Sequence, residues 1–232
     1  MSDDLSLFPR AMSLAVHELR TPVTVVAGYL RMVLREQAGP LTEKQRKMLE
    51  EADRSCARIG TLVSEMSELG KLESQQVALA SIDVNLAALA AEVAGNMHEG
   101  EDRNVRLDVR GADQPLMVAG DRTRLAAALT ALMHSALREH ADPGVIVVEC
   151  ATVADATQAW AVIAIGDDTK TRPLIDAART APPAFDEWRG GLGLALPIGK
   201  RVIEAHGGAL WSLPGDARRT ASALRLPLTH RR

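Results

Sequence analysis

Residues 12–33, MSLAVHELRTPVTVVAGYLRMV, place Met12, Val16, Leu19, Val23, Val26, Leu30 and Val33 at spacings that alternate between four and three. Met48, Ala52, Ser55, Ile59, Leu62, Met66 and Leu69 repeat that spacing further on. Alternation of three and four is the heptad, the period of helices packed at a shallow left-handed crossing. Between the runs lies Ala38-Gly39-Pro40-Leu41-Thr42-Glu43, a breaker followed by Thr42 as the expected N-cap. The two runs therefore predict a hairpin of two long helices. Two helices alone leave an apolar seam with too little partner surface, so a homodimer, closing a four-helix bundle, is expected. The alternative is a hairpin that packs on the C-terminal part of its own chain.

From about residue 77 the pattern changes, which divides the chain into residues 1–76 and 77–232. Ile82 to Val93 and Arg122 to Glu139 read as helices, as does Leu192 to Ala205. Strand patterns occupy Val105 to Val109, Leu116 to Val118, Val145 to Val153, Trp160 to Ile165, Ala209 to Trp211 and Ala221 to Leu228. Asp155-Ala156-Thr157-Gln158 separates two of the strands as a hairpin turn, and residues 168–190 read as a polar, proline-containing stretch. Helices on one face of a mixed sheet make an α+β layer domain.

Composition narrows the function. The 232 residues carry a net charge of −3 with both signs mixed, which gives no support for nucleic-acid or anionic-membrane binding. No run approaches the ~18 apolar residues of a membrane span, and an acidic N-terminus is unlike a secretory signal. A soluble, cytoplasmic protein is expected. Cys56 and Cys150, the only cysteines, fall in a helical and a strand pattern, which suits two buried thiols in a reducing compartment.

Chemistry concentrates at Val16-His17-Glu18-Leu19-Arg20-Thr21-Pro22. His17 adjoins the seam residue Val16, so on a helix it sits at the margin of the bundle as an exposed nucleophile, able to form a phosphoramidate. Glu18 supplies a carboxylate to accept the imidazole proton. Thr21, one turn on, offers a hydroxyl that could orient a water for hydrolysis. Pro22 removes a backbone donor and is expected to kink the helix.

His-Glu-Leu-Arg-Thr-Pro resembles the H-box of sensor histidine kinases, and the heptad hairpin is similar to that family's dimerisation and phosphoacceptor domain. Gly120-Asp121-Arg122-Thr123-Arg124-Leu125 resembles the start of the family's first ATP-domain helix. Phe185-Asp186-Glu187-Trp188 resembles its aromatic box. Gly190-Gly191-Leu192-Gly193-Leu194-Ala195-Leu196, followed by Glu204-Ala205-His206-Gly207-Gly208, resembles its second glycine box. The resemblance implies a hairpin followed by an α/β sandwich of the histidine kinase ATPase type. It also implies ATP and Mg²⁺ as cofactors, Asp167, Gly191 and Gly193 as nucleotide contacts, and the receiver domain of a response regulator as partner. No metal ligand is assigned within the chain.

The sequence departs from the family at the ATP site. Ala131 and Ser135 stand where the N-box places asparagines, and neither matches the oxygen donors that Mg²⁺ requires. The first glycine box, Asp-x-Gly-x-Gly, here reads Asp167-Asp168-Thr169-Lys170-Thr171, with threonine at both glycine positions. Almost no lid separates Trp188 from Gly190. The expected function is therefore transfer of a phosphoryl group between His17 and an aspartate of a response regulator, with weak or lost ATP binding and an upstream kinase as a possible source. The alternatives are an active ATP-dependent histidine kinase core and a non-catalytic dimeric adaptor that docks a response regulator. With 16 residues before His17, the stimulus is expected to arrive through another protein or a region outside this sequence.

Overall fold

The computed structural model describes residues 4–74, 76–98, 100–140, 142–180, 182–188, 193–213 and 221–229, with side chains from residue 11 onward. Two compact units are present, Met1–Val77 and Ala78–Arg232.

The first unit is an antiparallel pair, α1 (Asp4–Leu34) and α2 (Glu43–Glu73). Thr42 begins α2 with a capping box: its hydroxyl accepts from the Gln45 backbone N–H, and the Gln45 side chain accepts from the Thr42 backbone N–H. Helix α1 runs on through Pro22 without a break. Its long packed contact with α2 outweighs the single backbone bond that the proline removes.

On α1 the buried and half-buried positions Met12, Val16, Val23 and Leu30 follow the heptad. On α2 the seam lies one position later than its sequence spacing suggests through Val63, and the expected seam residue Leu69 is buried as the spacing suggests. Cys56 and Val63 are buried, whereas Met48 and Ile59 are 65% and 47% exposed. The cause is residue size. Cys56 donates its thiol to the Val23 carbonyl at 3.6 Å, and a Cβ on Gly60 would lie 3.9 Å from Val23 Cγ1. Small side chains let the backbones approach, so the bulky residues turn to the flank.

The second unit contains a five-stranded mixed sheet and a two-stranded antiparallel one. Strand β1 (Ile82–Asn85) pairs with β3 (Met117–Gly120). The larger sheet contains β2 (Val105–Arg110), β4 (Gly144–Ala154), β5 (Ala159–Gly166), β6 (Ala209–Ser212) and β7 (Ser222–Pro227), in the order β2-β4-β5-β7-β6. Only β2 and β4 run parallel. Helices α3 (Leu86–Gly95), α4 (Arg122–Glu139) and α6 (Ala195–Ala205) pack together as one layer, and α3 and α4 reach β5.

Two expectations are corrected here. Residues 82–93 are not one helix: Asn85 ends β1 and caps α3, its side chain accepting from the Ala88 and Leu116 backbone N–H groups. Residues 168–177 are not irregular but form α5 (Asp168–Ala177). Side chains alternate across a strand, so β5 presents two faces. Val162 and Ala164 pack with Leu174 and Ile175 of α5, while Ala161, Ile163 and Ile165 point the opposite way and are fully buried as well. Helices thus cover both faces of the central strand rather than one. Helix α6 begins at Ala195, and the expected helical residue Leu192 lies outside the described residues.

The β4–β5 hairpin turn is as the sequence suggests. The Asp155 carboxylate accepts from the Thr157 hydroxyl and backbone N–H at 2.6 and 2.7 Å, from the Gln158 N–H at 3.0 Å, and from the Trp160 indole N–H at 2.6 Å. These bonds, led by the Thr157 hydroxyl, hold the carboxyl well below the usual carboxylate range. The folded chain therefore takes up this proton less readily than the unfolded chain. Its stabilisation is full above the unfolded carboxylate value of about 4 and is lost as pH falls below it. Asp155→Ala is expected to lower stability at neutral pH and to flatten the loss of stability on acidification, read as urea midpoints across that range. Equal slopes for the two proteins would refute this. Both cysteines are free and buried, and burial pushes the Cys150 thiol up to about 11, so it is unreactive.

Candidate functional site

Val16 is 4% exposed, buried in the hairpin seam, whereas the His17 side chain is 77% exposed and the Glu18 side chain 71%. One step of 100° along a helix carries the chain from seam to rim, which is why adjacent residues differ so sharply. The Glu18 carboxylate Oε1 lies 3.4 Å from His17 Nδ1. With the ring proton on Nδ1 toward Glu18, the lone pair lies on Nε2, the nitrogen remote from the carboxylate. Thr21 is exposed one turn further on. Thr24 donates its hydroxyl to the Arg20 carbonyl at 2.8 Å, across the turn that contains Pro22.

About two turns along α1 from His17 a groove of about 620 Å³ begins between the helices, with Thr24, seven positions on and so on the same face as His17, among its lining residues. Thr24, Ala27 and Gly28 form its α1 wall; Ala57, Gly60 and Thr61 form its α2 wall. Sequence reasoning missed these residues. The signal was present as small residues one turn apart on each helix, Thr24 with Gly28 and Ala57 with Thr61. The opposite flank is apolar. Leu19, Val26 and Tyr29 of α1 and Met48 and Ile59 of α2 are all exposed.

In the second unit the structure describes two of the three residues expected to touch nucleotide, Asp167 and Gly193. Asp167 is the N-cap of α5: its carboxylate accepts from the Thr169 N–H at 3.0 Å and hydroxyl at 2.5 Å, with Lys170 Nζ at 3.4 Å. Burial pushes this carboxyl up, but the Thr169 hydroxyl and Lys170 outweigh it and hold it below its ordinary value. Thr169 and Thr171, which replace the glycines, lie within α5. Gly193 keeps a positive φ of 63°, the conformation glycine adopts at least cost, two residues before α6. Gly191, Gly190 and the segment read as a shortened lid lie outside the described residues.

Mg²⁺ requires oxygen ligands in near-octahedral geometry. Ala131 offers none, and Ser135 is 3% exposed with its hydroxyl sealed from any hydrogen-bond partner. These residues do not fit the metal. In the aromatic box Phe185 is buried and Trp188 exposed. Glu187 pairs with Lys200 Nζ at 2.8 Å and Arg201 at 3.7 Å. Burial raises the Glu187 carboxyl and these cations more than reverse it. That cluster ties the box to α6.

Comparison with known proteins agrees with the hairpin and the sheet. Residues 10–75 match the His Kinase A (phospho-acceptor) domain. The chain is 30% identical over 225 residues to the sensor protein GacS of Pseudomonas syringae pv. syringae, covering 91% of this chain and 24% of that protein. It is 29% identical over 201 residues to the signal transduction histidine-protein kinase BarA of Escherichia coli K12, covering 83% of this chain and 22% of that one. The chain thus spans about a quarter of the length of these relatives.

Among solved structures, full-length ShkA in complex with AMPPNP superposes with a TM-score of 0.68 at 20% identity, over 96% of this chain and 46% of that one. Histidine kinase ThkA in complex with response regulator protein TrrA gives 0.57 at 22%, over 98% and 64%. At such identities these two establish the fold. Residues 10–75 belong to the His Kinase A (phospho-acceptor) domain family, and the chain as a whole is homologous to sensor histidine kinases. Within them it is a transmitter core, a His Kinase A hairpin followed by an ATPase-like α/β sandwich. Among the described residues no helix is long and apolar enough to cross a membrane.

Proposed function

We propose that this chain exchanges a phosphoryl group between His17 and an aspartate on the receiver domain of a response regulator, as a homodimer, with weak or lost ATP binding of its own. The observation that carries the reading is the exposed His17–Glu18 pair, with a groove of mostly small residues opening about two turns further along the same helix. In the forward step Nε2 attacks the phosphorus of the aspartyl phosphate. The N–P bond forms as the P–O bond breaks, and the aspartate leaves as a free carboxylate. Positive charge develops on the imidazole, and Glu18 at Nδ1 stabilises it. Return of the group to an aspartate is the same step reversed, so direction follows supply. Thr21 is placed to orient a water in the competing hydrolysis. The groove accommodates a receiver helix against backbones that small side chains leave accessible. ThkA, which shares the fold, is captured with the response regulator protein TrrA. The apolar flank is the surface that pairs two hairpins.

The test supplies the phosphodonor directly. A panel of receiver domains, each phosphorylated on aspartate with labelled acetyl phosphate, is mixed with the full chain. Acid-labile, base-stable label is expected on the chain, mapping by proteolysis to the His17 peptide, while labelled ATP with Mg²⁺ gives little or none. Efficient labelling from Mg-ATP would favour the autokinase instead. No label from any receiver or from ATP would leave the docking adaptor.

A further inference from the structure

We infer that α5 is a permanent strut of the second unit, so that this unit holds its fold, and this segment its contacts, without Mg-ATP. The inference deepens the reading of weak or lost ATP binding given above. In the family that the sequence resembles, this segment opens with a glycine-rich turn; here it is a helix. Its own sequence is a poor helix former. Pro173 sits inside it, and Thr169 and Thr171 are β-branched. Intrinsic preference therefore does not account for α5, and the reason has to be tertiary.

Three side chains from the sheet supply that reason, one for each part of the helix. Arg110 of β2 pairs with Asp168 at the N-terminus. The Trp211 indole N–H of β6 donates to the Leu174 carbonyl at 3.2 Å in the middle. Arg225 of β7 donates to the Ala178 carbonyl at 2.6 Å and the Thr180 carbonyl at 3.4 Å just past the C-terminus. Arg225 is itself held over the Trp160 ring at 4.3 Å, with Asp155 at 3.9 Å. Between these points Leu174, Ile175 and Ala178 are buried with Val153, Trp160, Val162 and Ala164, and Thr171 is buried as well. Asp167, the residue expected to meet adenine, is engaged as the helix N-cap.

A carboxylate used as a cap and a backbone anchored at three points leave nucleotide nothing to order here. A ligand that reopened the turn would have to displace the cap and the sheet contacts together. The segment is thus fixed by the chain itself.

Amide hydrogen exchange on the full chain tests this. In nucleotide-free buffer with EDTA, residues 170–178 are expected to be protected to the level of α4. Saturating Mg-ATP is expected to change neither that protection nor the melting temperature. Arg225→Met, which keeps the aliphatic stem over Trp160, is expected to speed exchange across 174–180 by about tenfold or more while α4 is unaffected. Fast exchange of α5 without nucleotide, protection gained with Mg-ATP, or an Arg225→Met protein with unchanged exchange would each overturn the inference. The result is independent of phosphotransfer. A chain deaf to every phosphorylated receiver but protected at α5 sinks the earlier reading alone, and a chain that accepts label with α5 unprotected sinks this one alone.

Discussion

His17→Ala is expected to abolish labelling by a phosphorylated receiver, and Glu18→Gln to slow it by about 10²–10⁴-fold, with both hairpins folded as in the parent protein. The folding half of the expectation follows from exposure. Neither side chain is buried in the seam, and substitutions at exposed helix positions away from caps change stability little. The kinetic half follows from charge. Glutamine keeps an oxygen within reach of Nδ1, so the ring remains oriented, but it cannot offset the positive charge that builds as Nε2 attacks phosphorus. Single-turnover label transfer at saturating receiver separates this from a docking defect, because docking is a matter of the groove and the carboxylate acts on the ring. A Glu18→Gln protein that transfers at the parent rate would mean that Glu18 only decorates the rim. A His17→Ala protein that still takes label would place the phosphoryl group elsewhere.

The hairpin was legible in the sequence because one local rule, the heptad, determines both its helices and the rim position of His17. The rule says which stripe is apolar but not which part of it the partner helix takes. On α2 that choice fell to Cys56 and Gly60, whose small size lets Val23 come close, and Ile59 was displaced to the flank. The groove went unseen for the same reason, since small residues are conspicuous in space and silent in a hydropathy pattern. In the second unit α4 and every strand but β1 were legible, from a leucine and alanine face and from β-branched runs. Helix α5 was not, because Pro173 and two threonines speak against it and its support comes from residues 37 to 58 positions away in the chain. Asp167 shows the limit most clearly. Its match to the aspartate of the family's first glycine box suggested a nucleotide contact, and only the fold reveals that the same carboxylate caps a helix.

Ile59→Glu is expected to convert a dimer into a monomer, raising the dissociation constant by about a thousandfold or more. Leu19, Val26, Tyr29, Met48 and Ile59 form an apolar flank on the single hairpin, larger than scattered surface residues account for. Burying one such side chain contributes about 1.5–3 kcal/mol. A two-fold interface counts every substitution twice, so losing Ile59 from both protomers costs about 4 kcal/mol, roughly three decades in affinity, before the burial of two carboxylates is added. The hairpin itself keeps its seam, because Cys56, Val63 and Val16 lie on the other side of Ile59's position and are untouched. Thr61→Glu, a substitution in the groove two residues away, is the matched control and leaves the dimer intact while obstructing the receiver. Sedimentation equilibrium over a range of concentrations reads both. A parent chain that sediments as a monomer throughout would refute pairing through this flank outright, whereas if Ile59→Glu sediments with the parent while Thr61→Glu dissociates, then the pairing surface is the groove flank, and His17 would be shielded by its own partner rather than presented to a receiver.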